Sequence, residues 1–91
     1  MSITHVHSLS ELDRAILAFE EAWPRHSAAK EDAILEAFSL PPARYYQLLN
    51  AVIDSPAAVR HDPMLVRRLL RARDERAEAR ARRAFTSSSP S

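Results

Sequence analysis

Ninety-one residues with no cysteine and no glycine, 46% hydrophobic and at a net charge of +1, make one small domain that disulfides and thiolate metal sites cannot reinforce. Ala, Leu, Arg and Glu dominate while aromatic residues are few, so the expected fold class is all-α. No run of about eighteen apolar residues and no charged leader before an apolar core is present, which excludes a membrane helix and leads us to expect a cytoplasmic protein.

The small net charge hides an asymmetry. Residues 1–56 carry four basic and eight acidic side chains, and residues 57–91 carry nine basic and four acidic, so −4 stands beside +5. Such a split between halves points to an acidic partner for the C-terminal part, nucleic acid foremost. Twelve arginines against one lysine suit phosphate recognition but also a GC-rich genome.

In chain order, residues 1–8 are expected to be disordered. A first helix opens at Ser10, with Asp13 completing a capping box, and Leu12, Ile16, Phe19 and Trp23 form its core stripe up to Pro24. A second helix begins after Ser27 and buries Ile34 and Phe38 with Ala33 or Ala37. It stops near Ser39, because Leu40 precedes a proline. The third runs from Pro42 to about Asp54, since proline is tolerated in a first helical turn. Ser55-Pro56 and Asp62-Pro63 repeat the pattern of cap then proline, opening a short helix to about Arg60 and a long one to about Arg83. Leu65, Val66, Leu69 and Leu70 dock the long helix, and residues 85–91 form a disordered tail. The domain proper spans 9–73 and a basic helical extension spans 74–84.

Two helices of about ten residues joined by a short turn, with Leu40 buried in it, form a helix-turn-helix pattern. Ser39 stands where such turns usually have glycine. In the second helix of the pair Tyr45, Leu48 or Leu49, Val52 and Ile53 face the core. Pro42, Ala43, Arg44, Gln47 and Asn50 are left for base edges, with guanine suiting Arg44 and adenine suiting Gln47 or Asn50. An ion pair of Arg44 with Glu36 is the competing reading. Ser27, Lys30 and Tyr46 are phosphate candidates, joined by backbone N–H groups at the two helix starts. Farther on, Arg73, Arg76, Arg80 and Arg83 continue the stripe of Leu65 and Leu69 and lack acidic neighbours, whereas Arg71 and Arg82 can pair with Asp74, Glu75 and Glu78.

The strings "AILAFE", "AKEDAILEAF", "RYYQLLNAVID" and "DPMLVRRLLRAR" resemble a family of short actinobacterial proteins catalogued as a domain of unknown function. The resemblance covers about Leu9 to Arg73. It implies a single helix-turn-helix domain and duplex DNA binding, because the family includes small nucleoid-associated proteins. Double-stranded DNA is therefore the expected partner, in a nucleoid-associated or transcription-regulating role and with a homodimer on DNA as one arrangement. The competing functions are a helical protein-protein interaction module and an RNA binder acting through the arginine-rich helix. His5-Val6-His7 lacks further ligands for a metal, and no phosphate loop, cysteine nucleophile or Ser-His motif is present. Enzyme activity, a cofactor and a small-molecule ligand are not expected.

Overall fold

The computed structural model describes residues 8–88, with side chains to residue 84; His5, His7 and residues 89–91 lie outside the described residues. Five helices follow one another without a strand among these residues: α1 (Glu11–Ala22), α2 (Ala28–Phe38), α3 (Pro42–Ile53), α4 (Pro56–His61) and α5 (Pro63–Ser88).

Local chemistry sets nearly every boundary. Ser10 Oγ accepts from the Asp13 amide at 3.0 Å and the Asp13 carboxylate accepts from the Ser10 amide at 3.1 Å, closing the expected capping box. Ser27 caps α2, Ser55 caps α4, and Asp62 accepts from the Leu65 amide at 3.2 Å to start α5. α2 ends at Ser39, which takes the left-handed conformation (φ 57°, ψ 35°) while its amide bonds Leu35 O at 2.8 Å. A residue with a Cβ is strained there and glycine is not, so Ser39→Gly is expected to stabilise the domain by about 0.5–1 kcal/mol. Thermal unfolding would register this as a rise of a few degrees. A fall would mean that the serine hydroxyl offsets the strain.

α3 is the central element, packed against all four other helices. Its Tyr45, Leu49, Val52 and Ile53 meet Ile16 and Leu17 of α1, Ile34 of α2, Ala58 of α4, and Leu65, Val66 and Leu69 of α5. Phe19, Phe38 and Tyr45 form an aromatic cluster with ring centroids 5.3–5.6 Å apart, within the range of favourable ring pairs.

Several sequence expectations shift. α1 is rotated so that Ile16, Leu17 and Glu20 are buried, while Leu12 is exposed and Trp23 half-buried, because a carboxylate occupies part of the core. Leu40 is half-buried rather than buried, since exposed Pro41 holds the turn at the surface. Ala37 is exposed, and Leu49 rather than Leu48 fills the core. α5 continues to Ser88, past Arg83 and into the segment expected to be disordered, because no proline or glycine interrupts it before Pro90. Its 26 residues span about 39 Å, which carries the helix well beyond its last core residues.

Candidate functional site

The turn from α2 to α3 determines what the front of α3 presents. Pro41 takes the N-cap position in extended conformation and Pro42 the first helical position, so Ala43 and Arg44 are the first residues there with amide protons. Packing Tyr45, Leu49, Val52 and Ile53 inward leaves Ala43, Arg44, Gln47 and Asn50 exposed, with Pro42 half-buried beside them. Arg44 does not pair with Glu36: its Nη1 donates to Gln47 Oε1 at 3.1 Å, one helical turn along. Two of the three polar groups expected at base edges therefore lie side by side on the surface.

Behind this front lies a buried polar cluster that the hydrophobic pattern does not announce. Lys30 Nζ and Glu20 Oε1 are 2.9 Å apart with both side chains only 4% exposed, and Tyr45 donates its phenol to Glu20 Oε2 at 2.5 Å. Arg68 of α5 donates to the Glu20 carbonyl at 3.2 Å. Every buried side-chain polar atom among the described residues has a partner, as burial of such groups requires. Burial, then the hydrogen bond to Glu20, pushes the Tyr45 phenol far above its usual range.

Lys30 is thereby removed from the phosphate candidates, its ammonium being held in the core by Glu20. The exposed Ser27 caps α2, its Oγ accepting from the Lys30 amide at 3.0 Å, which leaves its hydroxyl proton to donate. Tyr46 is half-buried. The Lys30 ammonium sits 5.7 Å from its ring centroid, and its hydroxyl lies 3.1 Å from His26 Nδ1. Burial, followed by the Glu20 charge, pushes the Tyr46 phenol up to about 12. At neutral pH it therefore stays a neutral hydrogen-bonding group.

A groove of about 430 Å³ separates the front of α3 from the flank of α5, lined by His26, Glu31, Pro42, Ala43, Tyr46, Asn50, Arg73, Arg76 and Arg80. It brings four of the expected α3 positions together with three of the four arginines of the α5 stripe. The stripe itself needs correction. Arg73 makes a two-pronged contact with Asp54, at 3.0 and 3.3 Å, so it is not without an acidic neighbour. Arg83 also has a partner, whereas no ion pair among the described residues engages Arg76 or Arg80. Desolvation, then the positive charges of Arg76 and Lys30, lowers the His26 pKa below its ordinary value, with Glu20 and Glu31 opposing.

His26 and Glu20 went unmarked as members of this site, and Lys30 was marked for phosphate contact rather than for a buried pair. Glu20 could have been found, because it falls four residues after Ile16 and three after Leu17 on the buried face. The single lysine of an arginine-rich chain is a second signal, as lysine and arginine are not interchangeable in buried pairs. His26 sits in a loop and offers no periodicity at all.

Among the described residues no cluster of three or more His, Cys, Asp or Glu could hold a metal ion, and no helix is long and apolar enough to cross a membrane. Residues 8–81 match the family described as "Protein of unknown function (DUF3263)", and the chain belongs to that family. No curated protein and no solved structure matches it.

Proposed function

We propose that this DUF3263-family chain is a duplex DNA-binding protein of the helix-turn-helix type, acting in the nucleoid as an architectural or transcription-regulating factor. The observation that carries this reading is one groove lined both by Pro42, Ala43 and Asn50 of the α3 front and by Arg76 and Arg80 of α5, with Arg44 and Gln47 exposed on the same helix. A recognition helix places its N-terminal residues against base edges in the major groove, while flanking basic groups contact phosphates and fix the register. The reading is also supported by the succession of α2, a short turn with Ser39 in the left-handed conformation, and α3. Arg44, held in place by Gln47, suits a two-pronged contact to guanine, and Asn50 lies one turn farther along α3.

Arg44→Ala is expected to weaken binding to the preferred duplex by about 1–3 kcal/mol and to leave binding to unrelated duplexes nearly unchanged. Fluorescence anisotropy on a selected site and on a scrambled one measures both. An equal loss on every duplex would assign Arg44 to phosphate contact. No loss on any duplex would remove α3 from the interface.

A further inference from the structure

We propose that the groove between α3 and α5 is a discrete phosphate site, in which one phosphate group is seated against Arg76 and Arg80 and beside the His26 imidazole. This deepens the DNA-binding reading and rests on it for the source of the phosphate, a backbone diester. Nothing in the helix-turn-helix pattern calls for His26, which comes from the loop between α1 and α2 and reaches the groove beside Tyr46.

Three observations carry the site. Arg76 and Arg80 are four residues apart on one face of α5, line the groove, and have no ion pair among the described residues. Glu31 is the only acidic side chain among the described residues that line the groove; Asp54 answers Arg73, so two uncompensated arginines face one glutamate. That leaves a surplus of one positive charge with His26 neutral, equal and opposite to one phosphodiester. Finally, Tyr46 is held in place by Lys30 above its ring, and its hydroxyl is 3.1 Å from His26 Nδ1, so the imidazole is positioned before any ligand arrives.

Occupancy is then linked to a proton. The charged and titratable groups around His26 are Glu20 of α1, Lys30 and Glu31 of α2, Tyr46 of α3, and Arg76 of α5, with Arg73 and Arg80 of α5 farther along the groove. Desolvation, followed by Arg76 and Lys30, holds the empty site's imidazole below its ordinary pKa, and Glu20 and Glu31 oppose this only in part. A phosphate between His26 and the arginines offsets their field and raises that pKa. The complex therefore takes up a proton between the two midpoints, and affinity rises as pH falls from the occupied-state value to the empty-state value. A midpoint shift of about one unit, typical of an opposite charge placed nearby, corresponds to about tenfold in affinity across that window.

The test follows the His26 ring resonances by NMR against pH, using the full chain alone and saturated with a short duplex, with dimethyl phosphate or with adenosine monophosphate. The midpoint should rise by about one unit with the duplex and with dimethyl phosphate. In His26→Gln, duplex affinity should lose its rise at acid pH, and in Arg76→Gln the midpoint of the unliganded protein should rise because one of its depressing charges is gone. Amide spectra establish that both variants are folded. A shift with adenosine monophosphate in a chain that no duplex saturates would uphold the site, assign it to a free phosphomonoester and end the DNA-binding reading. An unmoved midpoint in a duplex-saturated protein, or an unchanged pH dependence in folded His26→Gln, would overturn the phosphate site and leave DNA binding standing.

Discussion

Lys30→Met is expected to destabilise the domain by about 3–5 kcal/mol, because it leaves the Glu20 carboxylate buried without its counter-charge. Against the total stability of about 5–15 kcal/mol usual for a small domain, that loss leaves a marginal fold. Glu20→Leu strands the ammonium and the Tyr45 phenol together and should cost a similar amount. The triple replacement Glu20→Leu, Lys30→Met and Tyr45→Phe removes every member at once, so most of the loss should be recovered. Buried ion pairs replaced as a set by apolar groups are often neutral or stabilising. Chemical denaturation of the three proteins measures this. Single and triple variants of equal, low stability would mean that the cluster contributes net stabilisation rather than mutual compensation. The cluster also reaches the groove, since Lys30 sits over Tyr46 and Tyr46 contacts His26. The triple variant is therefore expected to fold yet hold the groove less firmly.

Truncation after Glu75 is expected to make the salt dependence of duplex binding shallower by roughly two to four units of slope, at about 0.9 for each phosphate no longer neutralised. The cut removes Arg76 and Arg80 from the groove, and Arg82 and Arg83 beyond it, while sparing the core residues of α5 and the pair of Arg73 with Asp54. Preference among duplex sequences should persist, because α3 is untouched. Arg73→Gln serves as the comparison. Its guanidinium is committed to Asp54, so its removal should change the slope by less than one unit. An unchanged slope after truncation would place the far end of α5 off the DNA and favour a protein partner for it.

Helix order and most boundaries were legible in the sequence because they depend on local chemistry. Serine or aspartate before α1, α2, α4 and α5, and proline at the first turn of α3, α4 and α5, act within a few residues and need no tertiary information. The exposed front of α3 was equally legible, since placing Tyr45, Leu49, Val52 and Ile53 inward forces Arg44, Gln47 and Asn50 outward. Periodicity misled where a polar residue had entered the core. The α1 stripe was drawn through Leu12, Ile16, Phe19 and Trp23, whereas Ile16, Leu17 and Glu20 are buried, and Lys30 was placed at the phosphate-facing end of α2 although its stem and ammonium are buried. The α5 stripe was correctly aligned, but neighbours on its own helix could not reveal Asp54, nineteen residues back on another element. The groove depends on the packing of α3 against α5 and on the loop carrying His26, and no local signal encodes either.

Duplex DNA binding itself is tested most directly by titrating the intact chain with a random-sequence duplex, single-stranded DNA and double-stranded RNA at two salt concentrations. Tighter binding to duplex DNA than to the other two, with an affinity that falls steeply as salt rises, is the expected result. Equal or tighter binding to double-stranded RNA would contradict it and point to the arginine-rich helix as an RNA-binding element, and no binding to any of the three would leave α5 to a protein partner.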